Sequence, residues 1–243
     1  MRIVIISDIH GNYEALRGLP ELHCDELWVL GDLVNYGPQP QEVIKWTQTH
    51  ADEVVQGNHD HAVGYLTSPR CSPRFREMAR WMQNFTIEKL AIHERIYLRQ
   101  LPLFKELRRG RTKFYLCHAA PSDPLYPYYS PDSDRWIIEC AHLEADVLLV
   151  GHTHIPFVRK VEKCLVVNPG SLGQPKHGKP EACYAIWEDG NVELRSFTYP
   201  VEKCVAAIER LDPPERVKRD LVEVLRTGAP PKTPSLTPSP ISS

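Results

Sequence analysis

An α/β layered fold is what the sequence predicts, and three observations predict it. Short apolar runs suited to buried strands recur from the N-terminus onward. Helix-compatible segments separate the early runs, and such alternation argues for strands layered with helices. A polar cluster follows each of five runs. Ligands in layered folds bind outside the carboxyl ends of the strands, so these clusters are placed to converge on one rim.

Taken in order, Arg2 to Ser7 is the first strand run and leads into Asp8-Ile9-His10. Asp25 to Leu30 leads into Gly31-Asp32, and Glu53 to Gln56 into Gly57-Asn58-His59-Asp60. Tyr13 to Leu19 and Gln39 to Thr49 are the helix-compatible segments between them, each entered through turn residues. Arg111 to Cys117 leads into His118, and Asp146 to Val150 into Gly151-His152-Thr153-His154. After His61 the pattern changes. Arg74 to Gln83 and Thr86 to Gln100 carry apolar residues at helical spacing (Phe75, Met78 and Met82 in the first), and Leu101-Pro102 stops the second. They read as a helical insert, about residues 61 to 101, packed against the sheet in preference to capping a substrate. Phe157 to Val161, Leu165 to Asn168, Ala182 to Glu188 and Asn191 to Phe197 are further strands, the last two joined by a hairpin at Asp189-Gly190. Val201 to Arg210 and Pro213 to Arg226 are helices, the second opening on prolines as helix starts often do. Residues 1–227 are expected to form a single domain, and the Pro/Ser/Thr-rich stretch from Gly228 to Ser243 to be disordered.

Composition bounds the function. At 42% hydrophobic and 25% charged, the chain has the balance of a globular protein with a full core. A net charge of -2 gives no electrostatic argument for nucleic acid or an anionic membrane, so affinity for a phosphorylated ligand must be local. No stretch approaches the roughly 20 apolar residues of a membrane span, and the N-terminal run is too short for a signal peptide's core. The expected location is cytoplasmic. Seven scattered cysteines with no C-x-x-C pair read as reduced, mostly buried thiols and argue against a zinc-thiolate site.

Singly, each polar cluster is weak, and any one of its histidines alone reads as an ordinary hydrogen-bonded residue. Five clusters of carboxylate, amide and imidazole at strand ends are harder to explain by packing, because buried polar groups cost free energy unless paired or metal-bound. The donors are oxygen and nitrogen; Cys117 precedes His118 but alternates to the other strand face. Such a set suits Mn²⁺, Fe²⁺ or Fe³⁺ first, with Zn²⁺, Co²⁺ and Ni²⁺ admissible, and not Ca²⁺. Two divalent ions would outweigh the charges of Asp8 and Asp32 and favour a hydroxide and a phosphoryl group.

The order Asp8-x-His10, Gly31-Asp32, Gly57-Asn58-His59-Asp60, His118, Gly151-His152-Thr153-His154 resembles the calcineurin-like metallophosphoesterase superfamily. Similarity in style continues through Asn168-Pro169-Gly170-Ser171, towards the small prokaryotic branch of phosphodiesterases and dinucleoside-polyphosphate hydrolases. The resemblance implies a β-sandwich of two mixed sheets flanked by helices. It implies one metal held by Asp8, His10 and His154, a second held by Asn58, His118 and His152, and Asp32 bridging them. His59 would bind no metal but would protonate the leaving oxygen or stabilise charge in the transition state. The implied activity is hydrolysis of a phosphodiester or nucleotide polyphosphate by a metal-bridging hydroxide, on a small-molecule substrate.

Two departures from the protein-phosphatase branch bear on substrate. There the second motif continues Gly-Asp-x-x-Asp-Arg; this chain reads Gly31-Asp32-Leu33-Val34-Asn35-Tyr36. Asn35 can hydrogen-bond an imidazole but cannot stabilise its cation as a carboxylate would, which weakens His59 as an acid-base group. Tyr36 stands where an arginine would clamp a phosphate dianion, which disfavours a monoesterase. Arg70, Arg74, Arg76 or Arg80 of the insert are candidate substitutes, with solvated helix charges as the plainer reading. The alternatives are a phosphomonoesterase, possibly acting on phosphoprotein, and a catalytically silent scaffold; the presence of every expected ligand and of His59 speaks against the scaffold.

Overall fold

Period-2 alternation in β1 (Arg2–Ile6) divides its side chains between two cores: Ile3 and Ile5 point one way, Val4 and Ile6 the other. This follows from the position of β1 at the centre of a five-stranded sheet covered on both faces. The order is β10 (Asn191–Phe197), β9 (Ala182–Glu188), β1, β2 (Glu26–Val29), β3 (Glu53–Val54). A second five-stranded sheet has the order β4 (Phe104–Arg109), β5 (Thr112–Cys117), β6 (Val147–Leu149), β8 (Cys164–Asn168), β7 (Phe157–Val161). These coordinates are a computed structural model that describes residues 1–20 and 23–231. Ile3, Ile5, Trp28 and Trp187 of the first sheet pack on Phe114, Leu116, Leu149 and Val167 of the second, with the Phe114 ring edge-on to both tryptophans at 5.0 and 5.2 Å. Both sheets are mixed. The expected sandwich of two mixed sheets flanked by helices is the fold observed.

The parallel pairings position the site. β1, β2 and β3 run parallel, as do β5, β6 and β8, so the carboxyl ends of each set lie along one edge of its sheet. The outer faces are covered by helices. α1 (Tyr13–Leu16) and α2 (Pro40–His50) lie on the first sheet, and α6 (Arg135–Ala141) sets Trp136 and Cys140 against the second. α3 (Asn58–Tyr65) begins at the rim itself. Among the described residues no helix is long and apolar enough to cross a membrane.

Several expectations need correction. The insert forms α4 (Arg76–Lys89) and α5 (Ile92–Gln100), so the break falls at Leu90-Ala91 and not near residue 84. The Glu94 carboxylate accepts the Ala91 N–H at 2.8 Å and caps the new helix there. α5 packs towards the sheet through Leu98, and the end of α4 joins it there through Ile87. The rest of α4 sets Met78, Ala79 and Met82 against α7 (Val201–Glu209) and α8 (Glu215–Thr227). Three elements were not foreseen. β4 is an edge strand whose charged sequence hides a strand pattern, α6 has too few buried positions to show periodicity, and α3 consists largely of polar site residues. Gly228, where disorder was expected to begin, is buried at the C-cap of α8 with φ 64°, and its carbonyl accepts the Gly178 N–H at 2.7 Å. Residues 232–243 of that tail lie outside the described residues.

Candidate metal centre

The strand-end loops are pinned to one another by their backbones. Asp8 N–H donates to Gly31 O (3.0 Å), His10 N–H to Asp32 O (2.9 Å), and Gly151 N–H to His118 O (2.8 Å). The packing leaves no room for side chains at two motif glycines. A Cβ on Gly57 would lie 2.1 Å from Asp32 Oδ1, and one on Gly151 2.0 Å from Ser7 Oγ. Asp8, His10, Asp32, His152 and His154 all take left-handed φ between 50° and 66°. Such backbone is uncommon outside glycine, and its concentration at one place marks a functional site. Asp60 closes the rim from below, accepting from Leu33 N–H (2.8 Å), Val34 N–H (3.3 Å) and Gly57 N–H (3.0 Å). Asp60→Asn turns one acceptor into a donor facing these N–H groups, and should destabilise the protein by ~2–3 kcal/mol in urea unfolding. A loss below ~0.5 kcal/mol, the size of an ordinary surface substitution, would show that Asp60 does not hold the rim.

All eight residues singled out in the sequence meet here, and all are buried. Each imidazole of the cluster has its outer nitrogen against a backbone carbonyl. His10 Nδ1 donates to Val34 O (3.1 Å), His118 Nδ1 to Leu30 O (2.7 Å), His154 Nδ1 to Gln174 O (2.5 Å), and His152 Nε2 to Tyr126 O (3.3 Å). These bonds fix the tautomers, so the inner nitrogens present lone pairs. Asn58 Nδ2 donates to Pro69 O at 2.7 Å, which turns its Oδ1 inward. The carboxylates are set in the same way: Asp8 Oδ2 accepts from His152 N–H (3.0 Å) and Asp32 Oδ1 from His59 N–H (2.8 Å), leaving one oxygen of each facing in.

The inward atoms form two groups. Asp8 Oδ1 and His10 Nε2 stand 3.2 and 3.2 Å from His154 Nε2. Asn58 Oδ1 stands 3.1 Å from both His118 Nε2 and His152 Nδ1. Asp32 Oδ2 lies between, 3.2 Å from His118 Nε2 and 3.6 Å from His10 Nε2. Cis ligands of an ion with ~2.1 Å bonds in octahedral geometry stand ~3 Å apart, so the spacing fits cations. The chemistry fits as well. With the imidazoles neutral, lone pair faces lone pair across both groups, and Asp8 Oδ1 is buried with no hydrogen-bond donor. Although burial opposes it, the two carboxylates lift the His118 imidazole to about 9, a sign of how strongly this cavity favours positive charge. Two clusters, Asp8-His10-His154 and Asp32-His118-His152, are thus candidate metal sites.

A family model described as the calcineurin-like phosphoesterase superfamily domain matches residues 1–190, which contain the whole rim. The chain belongs to that superfamily. An uncharacterized protein of Methanocaldococcus jannaschii is 31% identical over 242 residues, covering 88% of this chain and 94% of its own length. A symmetrical bis(5'-nucleosyl)-tetraphosphatase of Buchnera aphidicola is 29% identical over 166 residues, 65% of this chain and 55% of that enzyme. Among solved structures, a metallophosphoesterase from Sphaerobacter thermophilus matches with a TM-score of 0.79 at 28% identity, covering 94% of this chain and 99% of the other.

In this metallophosphoesterase, the walls around the metal cavity carry what distinguishes the chain. Asn35 Oδ1 accepts the Tyr36 N–H (2.9 Å) and Asn35 Nδ2 donates to Ala79 O (3.3 Å), so the amide orientation is set at both ends. The same Nδ2 lies 2.7 Å from His59 Nδ1, which must then accept, placing the neutral ring's proton on Nε2. Burial pushes His59 down to about 4 despite the pull of Asp32. Tyr36 lines the cavity but is only 4% exposed; its ring packs on His10 and His59 and offers little free surface. The accessible aromatic is Tyr128, 50% exposed, with its ring 3.9 Å from that of His152. None of the four insert arginines lines this cavity. Arg74, Arg76 and Arg80 line a separate groove with Arg216, and Arg70 lies over the Tyr126 ring at 4.4 Å.

Sequence reasoning missed Tyr128 and Lys176. Lys176 enters from the loop after β8, 3.3 Å from His154 Nε2, and among the described residues it is the one Lys or Arg lining the cavity. No spacing announced it. The available signal was its nearness to Asn168-Pro169-Gly170-Ser171, a motif that turns the chain back under the rim: Ser171 Oγ donates to Asp8 O at 2.8 Å.

Proposed function

We propose that this chain is a dinuclear metal-dependent phosphoesterase that prefers a phosphodiester or a nucleotide polyphosphate. Asp8, His10 and His154 hold one ion, Asn58, His118 and His152 the other, Asp32 contacts both, and manganese or iron suits the donors best. When bound, the ions supply Lewis acidity towards the phosphoryl oxygens and make a water acidic enough to attack phosphorus. The chain's own groups do the rest. Carbonyl-anchored imidazoles and backbone-anchored carboxylates hold the donor atoms rigid, and His59 presents its Nε2–H to the departing oxygen.

The observation that carries the substrate preference is the makeup of the cavity wall. It has aromatic side chains, Tyr36, Phe75 and Tyr128, one ammonium and no guanidinium fork. A monoester dianion calls for paired donors of the arginine type. A diester or an internal polyphosphate linkage carries less charge at the reacting phosphorus and a second group for an aromatic ring to contact. The cavity, at about 180 Å³, encloses the reacting phosphate and the start of its substituent only, being smaller than the ~300 Å³ at which pockets for whole organic ligands begin. The tetraphosphatase relative supports a nucleotide as that substituent.

Paired kinetics in Mn²⁺ test this, using a diester and a monoester of one leaving group beside a dinucleoside polyphosphate. We expect the larger kcat/KM for the diester or the polyphosphate. A monoester preferred tenfold, equivalent to ~1.4 kcal/mol in transition-state stabilisation, would instead make the protein a phosphatase.

A further inference from the structure

The environment of Lys176 is incomplete. Its ammonium sits over the Phe75 ring, 4.3 Å from the centroid, and among the described residues no carboxylate lies within ion-pair distance of it. Its hydrogen-bond acceptor is His154 Nε2, the same lone pair that faces Asp8 Oδ1 at 3.2 Å. That nitrogen cannot serve both a metal ion and the ammonium. Once it binds a cation, three N–H donors are left at the mouth of the metal cavity, held by an aromatic face and aimed where a substrate's oxygens must enter. An anion is the natural partner for them, because with the cations in place Asp8 Oδ1 is taken up as well and no carboxylate among the described residues is left to pair with the ammonium.

The geometry points to Lys176 as the side chain that binds the substrate's phosphoryl group, its ammonium donating to a non-bridging oxygen of the phosphate at the metal centre. This inference rests on the phosphoesterase reading above and adds the specificity element to it. A single flexible point charge matches one anionic oxygen, whereas a fork would match two. Lys176, which shares the Phe75 ring with Tyr36, thus takes over part of the role that an arginine at the Tyr36 position would have played, and it tunes the site to monoanionic phosphorus. A second consequence has the opposite sign. An ammonium beside the metal repels it, so the chain gives up metal affinity to gain phosphate affinity.

Calorimetry on the full chain reads both effects separately: Mn²⁺ titrated into metal-free protein, then inorganic phosphate into the Mn²⁺-loaded protein. Lys176→Met keeps the stem and removes the charge. It should bind Mn²⁺ at least as tightly as the parent, with unchanged stoichiometry, and phosphate at least ~10-fold more weakly, the scale of one charge-assisted hydrogen bond. Lys176→Arg should keep phosphate binding near the parent's, which guards against a mere packing effect of the methionine. A packing role would weaken both ligands together, and that result overturns the proposal, as does loss of an Mn²⁺ equivalent. Phosphate affinity unchanged in Lys176→Met overturns it too, yet leaves the phosphoesterase reading standing. No phosphate binding by the parent overturns the Lys176 assignment alone, and the phosphoesterase reading is then decided by the paired ester kinetics above.

Discussion

Asp32→Ala should leave the protein with less than one tightly held metal ion per chain and lower turnover by ~10³ or more, a loss of at least ~4 kcal/mol in transition-state stabilisation. The reason is positional. Asp32 Oδ2 lies 3.2 Å from His118 Nε2 and 3.6 Å from His10 Nε2, so it belongs to both groups of donors, while Oδ1 is held by the His59 N–H at 2.8 Å. Removing the carboxylate takes a negative charge from between two candidate cation sites and leaves four imidazoles, the Asn58 amide oxygen and Asp8 to hold both. Asp32→Asn fails for a related reason: whichever way the amide turns, its NH₂ meets either the His59 N–H or the inward lone pairs of His10 and His118. His118→Ala, by contrast, removes a donor from one group and should empty chiefly one site. Elemental analysis after Mn²⁺ loading and desalting, with circular dichroism to establish folding, separates the cases. Two ions per chain retained in Asp32→Ala would sink the bridging assignment and with it the dinuclear reading.

What could be read from the sequence, and what could not, divides along a physical line. Strands with two-faced or fully buried patterns, such as Ala182–Glu188 and Asn191–Phe197, were legible to the residue, because period-2 burial and a Gly-containing turn are local properties. The convergence of Asp8, Asp32, Asn58, His118 and His152 was legible because strand ends are where layered folds gather polar groups. Asn35 as the partner of His59 was legible from the motif. The β4 strand was not, since its alternation is carried by charged residues on an edge, and the sheet that makes it a strand is supplied by β5. Lys176 and Tyr128 were not legible because their places depend on loops returning to the rim from far along the chain. The burial of Tyr36 was not legible for the same reason. Nothing local shows that α4 and α8 close over that ring and hide all but 4% of it.

His59→Ala should retain both metal ions and lose ~10²–10⁴ in turnover, the range for a group acting on a proton in the transition state. His59 supplies none of the inward donor atoms: its backbone N–H is accepted by Asp32 Oδ1 and its ring packs edge-on against His10, so its side chain can be cut without removing a ligand. The size of the loss should depend on the leaving group. Asn35 Nδ2 donates to His59 Nδ1 at 2.7 Å, and burial keeps the ring neutral, so what His59 offers is an Nε2–H hydrogen bond and not a full positive charge. Such a bond is worth most where negative charge builds up most, on the oxygen of a poor leaving group. Across a series of aryl diesters, the ratio of parent to His59→Ala turnover should therefore grow with the basicity of the leaving phenol. A ratio constant across the series would remove His59 from the departing oxygen and leave it a contact to the non-bridging oxygens. Asn35→Asp supplies the complementary test. A carboxylate in that position must accept from Nδ1, which favours the imidazolium and makes His59 a true proton donor. Turnover on the poorest leaving groups should then rise relative to the best ones, and the same substitution combined with His59→Ala should erase the gain.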